Sequence, residues 1–284
     1  MPCFDFIEMN TYIDTYLPPD SEIHLYDGVL GLGMDYELRP WDPTPRQSKI
    51  PSLLKQMIAR GFLERNMFSV LWPTDTKNAG DIMFGGLNES LFTGDLVSHP
   101  LLLGEKKQWG IRVESVYLDT KDSIEEFASS SKSSAESSAG GNWTALLSSR
   151  TPLISLPARI AQSLNQKIGW TINECTGSMV VDCDHIPQFP NLIIGFENQN
   201  VTLRGSDYTV RRKVVERGCK DMADECMVMV STSPMDKDDP DSMLLGMGFL
   251  KTVYTVFDLD EKSVSCKLPS LPRNIPYETY IINR

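Results

Sequence analysis

The chain has 284 residues, of which 41% are hydrophobic and 23% charged, so its composition is that of an ordinary globular protein. Its 27 Lys and Arg residues against 38 Asp and Glu residues give a formal net charge of −11. That charge repels phosphate backbones and argues against nucleic acid as a partner. No apolar run approaches the length of a bilayer span, so we expect no membrane span.

Two helices are predicted, one in each half of the chain. The first lies between Pro51, which suits a first helical turn, and Gly61, which suits a C-terminal cap. The second begins near Pro157 and ends at Gly169. Apolar residues at i, i+4 and i+8 give the second helix one apolar face: Ile160, Leu164 and Ile168. Both patterns are typical of helices that pack on a core, and we assign neither a function.

Most of the remaining chain is predicted as short strands, because it is rich in β-branched and aromatic residues. The clearest examples are residues 113–118, 227–230 and 252–257. Residues 192–196 and 201–203 predict a hairpin around a turn at 197–200. Seven of the thirteen residues at 129–141 are serine, which predicts a flexible loop.

One short pattern occurs twice, at residues 29–34 and 244–249. In both places two apolar residues precede Gly, an apolar residue, a second Gly and another apolar residue. Such a short internal repeat is typical of a chain built from two related lobes, although six residues are too few to establish duplication.

Six segments follow one another in the order found in the pepsin-like aspartic endopeptidases, and together they resemble that family. They are residues 26–33, 61–71, 80–86, 92–96, 109–113 and 244–258. The resemblance implies an all-β, bilobal acid-peptidase fold. It implies a partial first lobe at 1–104, which lacks the first Asp-Thr-Gly loop and the flap. It also implies a complete second lobe at 105–284, which contains the serine-rich loop.

The family's chemistry uses two Asp-Thr/Ser-Gly loops, whose carboxylates share one proton and activate a water molecule. The resemblance places Ser148 at the second catalytic aspartate, Ser149 at the threonine and Arg150 at the glycine. Serine has no carboxylate, and neither Asp-Thr-Gly nor Asp-Ser-Gly occurs in the chain. We therefore predict no catalytic residue, with Ser149 and Thr151 lining the cleft.

The hypothesis is a catalytically inactive member of the aspartic endopeptidase family, with a peptide or protein as its ligand. Two alternatives remain open. The sequence could represent a truncated form of an active secreted endopeptidase, or a non-catalytic pepsin-like binding or inhibitor module. We expect no cofactor and no metal, because the glycine pattern of a dinucleotide loop and the cysteine spacing of zinc sites are absent from the sequence. Nothing in the sequence indicates an oligomeric state.

The resemblance also bears on covalent modification and on location. It implies a disulfide between Cys183 and Cys226, in a secreted or vacuolar protein. Three Asn-x-Ser/Thr sequons, at Asn88, Asn142 and Asn200, are candidates for glycosylation. The first residues lack the basic start and apolar stretch of a signal peptide, so we expect none in this chain.

Overall fold

The computed structural model describes residues 30–34, 51–73, 80–103, 108–128, 143–174, 176–215, 224–233, 239–270 and 281–283. Strands predominate over helices in this part of the chain, which confirms the all-β prediction. The predicted loop at 129–141 lies outside the described residues. No helix within the ranges above is long and apolar enough to cross a membrane.

The described residues form three α-helices, which are α1 (Leu53–Ala59), α2 (Ala158–Ile168) and α3 (Met247–Leu250). Their strands, in chain order, are β1 (Met67–Leu71), β2 (Asp81–Phe84), β3 (Ser98–Pro100), β4 (Gly110–Val113), β5 (Ser115–Asp119), β6 (Ile124–Phe127), β7 (Trp143–Leu147), β8 (Ile154–Leu156), β9 (Thr171–Ile172), β10 (Met179–Val181), β11 (Asn191–Phe196), β12 (Gln199–Leu203), β13 (Thr209–Val215), β14 (Asp224–Val228), β15 (Val230–Thr232), β16 (Ser242–Leu245), β17 (Tyr254–Asp258), β18 (Ser263–Lys267) and β19 (Ile281–Asn283).

Both predicted helices are confirmed, with the expected ends. Helix α1 follows Ser52, whose hydroxyl accepts a hydrogen bond from the Lys55 backbone N–H at 3.4 Å. Gly61 lies just beyond α1 and has a φ of 71°. Helix α2 ends at Gly169, whose φ of 64° is the left-handed conformation that glycine adopts without strain. The face of α2 that is buried consists of Ile160, Ala161, Leu164 and Ile168.

The predicted hairpin is confirmed as β11 and β12, but its turn is shorter than the sequence suggested. Phe196 pairs directly with Gln199, so two residues form the turn instead of four. Asn198 has a φ of 60°, a conformation that asparagine tolerates better than most residues. The strand pairing therefore extends to the tip of the hairpin.

The strands form four sheets, whose orders are β2-β1-β17-β18-β3, β15-β8-β16-β7-β4, β12-β11-β5-β6 and β19-β13-β14-β10-β9. We call the first of these the shared sheet, because it combines three strands from residues 67–100 with two strands from residues 254–267. Its central pair is antiparallel and joins Met67 to Asp258 and Leu71 to Tyr254. The predicted division into residues 1–104 and 105–284 stays a prediction, and the shared sheet takes strands from both sides of it.

The central strands of the shared sheet, β1 and β17, are buried on both faces. On one face the rings of Phe68 and Phe257 stack with their centroids 4.7 Å apart, and both contact Trp109. On the other face the Tyr254 hydroxyl donates a hydrogen bond to Ser69 Oγ at 2.7 Å and accepts one from the Asn88 backbone N–H at 2.8 Å. The sheet is thus a packed layer between the segment around Asn88 and the main core.

A buried histidine lies where strand β3 of the shared sheet meets the β11–β12 hairpin. His99 is 3% exposed, and its ring lies 5.1 Å from that of Phe196. The Gln199 amide donates to the Cys266 carbonyl at 2.7 Å, so its oxygen faces His99 Nε2 at 3.4 Å and accepts from it. Since that oxygen cannot donate, the Nε2 atom carries the hydrogen when the ring is neutral.

This burial makes the stability of the chain depend on pH. Burial lowers the pKa of His99 below its ordinary value of 6.5, against opposing effects from Gln199, Glu197 and Glu114. The unfolded chain therefore binds this proton more tightly, so the contribution of neutral His99 to stability is complete above the unfolded pKa of 6.5 and is lost as the pH falls toward the folded pKa.

We expect His99→Leu to flatten the dependence of unfolding free energy on pH between about pH 7 and pH 5, by at most about 1.4 kcal/mol per pH unit. Urea unfolding of the parent and the variant at a series of pH values measures this difference. His185→Asn is the control, because the side chain of His185 is 61% exposed. Parallel curves for the parent and His99→Leu would contradict the assignment.

Candidate functional site

The candidate site is the connection between strands β7 and β8. Strand β16 lies between these two, parallel to β7 with Leu245 opposite Leu147, and antiparallel to β8 with Leu245 opposite Ile154. The connection, residues 148–153, must therefore pass over the C-terminal end of β16. We call this connection the Ser148 loop. It contains the four residues that the resemblance assigned to the catalytic position and the cleft.

Backbone hydrogen bonds attach the Ser148 loop to the chain that follows β16. The Ser148 N–H donates to the Leu245 carbonyl at 3.2 Å, and the Met247 N–H donates to the Thr151 carbonyl at 2.9 Å. Between these bonds Gly246 lies against the loop itself. A Cβ added there would lie 2.2 Å from the Leu153 carbonyl oxygen and 2.4 Å from the Thr151 carbonyl oxygen. Only glycine fits this approach without moving the loop.

Two hydroxyl groups shape the loop from within. Ser148 Oγ accepts a hydrogen bond from the Arg150 backbone N–H at 3.3 Å, and Thr151 Oγ1 accepts one from the Leu153 N–H at 3.2 Å. Both are side-chain turns of the kind that Ser and Thr form with a backbone N–H two residues later. Ser148 thus serves the local turn of the loop.

Arg150, which the resemblance places at the family's glycine, has a backbone conformation without strain. Among the described residues other than glycine, positive φ angles occur at Asn198 and Lys262, and not at Arg150. The conformational freedom of glycine is therefore not required at this position, which explains how the loop accommodates a long side chain. Ser149 and Arg150 are exposed, whereas Ser148 and Thr151 are half-buried.

The start of strand β7 is fixed by contacts that the sequence did not reveal. Arg159 Nη2 donates to Asp241 Oδ1 at 2.6 Å, and the guanidinium lies 4.4 Å from the centroid of the buried Trp143 ring. The Asp241 carbonyl in turn accepts from the Thr144 N–H at 3.0 Å. This ion pair positions the strand that leads into the Ser148 loop. No local pattern indicates it, because its partners are far apart in the chain.

The predicted disulfide is confirmed. Cys183 and Cys226 are bonded, with their Cα atoms 5.4 Å apart and a sequence separation of 43 residues. Cys226 lies on β14, opposite Val181 of β10, so the bridge reinforces an existing strand pair. Cys266 is a free thiol, and burial raises its pKa to about 12.

The three glycosylation candidates lie in different surroundings. Asn88 is half-buried, and its side-chain oxygen accepts from the Ser90 N–H at 3.1 Å and from the Ser90 hydroxyl at 2.7 Å. Asn200 is exposed on β12, and Asn142 lies outside the described residues. Glycosylation of all three stays a prediction.

Comparisons with known proteins support the family resemblance of the chain. The sequence model described as "Eukaryotic aspartyl protease" matches residues 16–267. Over 84% of its length the chain is 28% identical to a "Vacuolar aspartic protease" of Candida albicans and 29% identical to a "Vacuolar protease A" of Aspergillus fumigatus. It is 26% identical to a "Gastricsin" of Mus musculus over the same share.

The chain spans about half the length of these curated relatives, with 49%, 52% and 53% of them covered. The family model nevertheless matches far more than half of the chain, in a region that contains the Ser148 loop and Gly246. The chain belongs to the eukaryotic aspartyl protease family.

Proposed function

We propose that this chain is a non-catalytic member of the aspartyl protease family that binds peptides without hydrolysing them. The observation that carries the proposal is the presence of Ser148 at the end of β7, in a loop whose backbone is attached to Leu245 and Met247. The loop is well formed, yet residues 148–153 contain no carboxylate.

The chemistry of the family explains why this replacement removes activity. Two adjacent carboxylates share a proton because two close negative charges cannot both ionise at low cost. One of them then activates water as a general base while the other protonates the substrate carbonyl. A serine hydroxyl neither ionises nor accepts a proton near neutral or acidic pH, so Ser148 supplies neither role. Its oxygen also accepts from the Arg150 N–H.

We expect no acid endopeptidase activity from the purified chain. An unfolded protein and a quenched peptide would be incubated with it between about pH 3 and pH 6, with an active vacuolar protease A as the positive control. Cleavage above background that a transition-state inhibitor of acid peptidases blocks would overturn the proposal. It would favour the alternative of an active endopeptidase.

The same assay separates the proposal from an inhibitor module. The chain would be added in increasing amounts to the active vacuolar protease A before the substrate. Suppression at a stoichiometric ratio, with no cleavage of the chain itself, would favour the inhibitor alternative. We expect no suppression beyond simple competition, because the proposed ligand is a peptide and not the peptidase.

For location, we propose a secreted or vacuolar protein. Disulfides persist in oxidising compartments, and the Cys183–Cys226 bridge fits such a location. Two of the relatives carry "vacuolar" in their names, which points to the same class of compartment.

A further inference from the structure

The hydroxyl groups of the Ser148 loop are arranged to donate. The Ser148 and Thr151 side-chain oxygens each accept one backbone N–H from within the loop. Neither hydroxyl donates to another residue that the structure describes, so their hydrogens remain available to a ligand. Ser149 is exposed beside them with a third hydroxyl. The family's chemistry needs a carboxylate in this loop to accept a proton, whereas the loop in this chain offers hydroxyl groups that can donate hydrogen bonds.

Arg150 adds a positive charge to this group of donors. Four other arginines form ion pairs with carboxylates, which are Arg65 with Asp258, Arg159 with Asp241, Arg204 with Asp207 and Arg212 with Glu225. The Arg150 guanidinium is exposed and has no such partner within the described part of the chain. A guanidinium offers five N–H donors in a planar arrangement that matches a carboxylate.

We propose that the Ser148 loop binds a carboxylate group of a peptide ligand, with Arg150 as the charged donor and the Ser148 and Ser149 hydroxyls beside it. The inference rests on the proposed function, since it names the class of peptide that the non-catalytic site selects. In this site a serine takes the place of the family's carboxylate, and a positive group takes the place of the glycine two residues later. Its preference is therefore for acidic peptides over neutral ones.

The carboxylate can belong to an Asp or Glu side chain or to the C-terminus of the peptide, and three probes distinguish these sources. The first is an acetylated, amidated peptide with a central Glu between apolar residues. The second carries Gln at that position. The third carries the same Gln and a free C-terminal carboxylate. All three would be titrated into the full chain at about pH 5.5, where the Glu side chain is mostly ionised.

We expect the Glu peptide, the free C-terminal peptide, or both to bind roughly fivefold more tightly than the neutral peptide at low salt, as for an exposed ion pair. Added salt should reduce this ratio because it screens exposed charges. In Arg150→Met the charged and neutral peptides should bind with equal affinity. Arg150→Lys should keep part of the preference for the charged peptides. Arg112→Met is the matched control, because Arg112 is also exposed and the variant loses the same charge. It should keep the full ratio.

Equal binding of the three peptides by the parent chain would overturn the inference and leave the non-catalytic proposal intact. A preference that survives in Arg150→Met would overturn it too, because the charge recognised would then lie elsewhere. Failure of all three peptides to bind would overturn both the inference and the peptide-binding part of the proposed function. Cleavage of a peptide, measured in the same samples, would overturn the proposed function alone if the ratio still depended on Arg150.

Discussion

Gly246→Ala is expected to lower the free energy of unfolding by about 3 kcal/mol or more, which is the upper part of the range for overpacking. The added methyl group would lie 2.2 Å and 2.4 Å from two carbonyl oxygens of the Ser148 loop, and 2.7 Å from Thr151 Cγ2. Backbone oxygens cannot move as a flexible side chain does. The loop would therefore have to separate from β16 and break the bond from the Met247 N–H to the Thr151 carbonyl.

Gly31→Ala is the matched control, because Gly31 has the same position in the repeat at residues 29–34 as Gly246 has in the repeat at residues 244–249. A Cβ at Gly31 would meet no described atom within 4 Å, so its substitution should change stability by less than about 1 kcal/mol. Urea unfolding of the three proteins, followed by tryptophan fluorescence, measures both effects. A similar stability for Gly246→Ala and the parent would show that the loop is not held against Gly246.

Removing the disulfide is expected to lower the free energy of unfolding by about 4 kcal/mol. Cys183→Ala with Cys226→Ala opens a bridge that spans 43 residues. In the loop-closure model the unfolded chain then gains conformational entropy, which stabilises it by roughly 4 kcal/mol. The strand pair β10–β14 would lose its covalent link but keep its hydrogen bonds. The variant should therefore fold with the same sheet and unfold at a lower denaturant concentration.

The measurement compares the parent and the double variant in urea, each with and without a reductant. The reductant should destabilise the parent by about 4 kcal/mol more than the variant, because any effect on other thiols is common to both. Non-reducing peptide mapping of the parent identifies the bridge directly. Equal unfolding midpoints for the two proteins under oxidising conditions would rule out a stabilising bridge.

Local features of the fold were predictable where the sequence contains a local signal. Gly61 and Gly169 fix the ends of the two helices, because each takes a left-handed φ just beyond the last turn. The hairpin at β11 and β12 was also evident. Its turn was misjudged because Gln199 and Asn200 are polar residues that nevertheless continue the strand.

Long-range features of the fold were not predictable from local pattern. The pairing of β1 with β17 joins segments that are far apart in the chain, from Met67 opposite Asp258 to Leu71 opposite Tyr254. The sequence of neither strand identifies its partner. The burial of His99 was not predictable for the same reason, since an isolated histidine in sequence does not reveal the Phe196 ring that packs on it.

The place of the candidate site in the chain was predictable from the family resemblance, whereas its geometry was not. The ordered segments of the family placed Ser148 and Arg150 at the catalytic loop, and the strand order around β16 places them on one connection. The φ angle of Arg150 and the turn made by the Ser148 hydroxyl could not be read from the sequence. Both depend on how the loop crosses the end of β16.

The pairing order of the shared sheet also constrains how the chain is made. During synthesis, β1 emerges from the ribosome long before residues 254–258, which form its central antiparallel partner. Until then the nascent chain exposes the apolar side chains of Met67, Phe68, Val70 and Leu71, all of which are buried in the finished sheet. Contacts so distant in sequence form slowly, and β1, paired with β2 alone, has one open apolar edge that is prone to aggregation. Cotranslational completion of the shared sheet must therefore wait until residues 254–258 have left the ribosome.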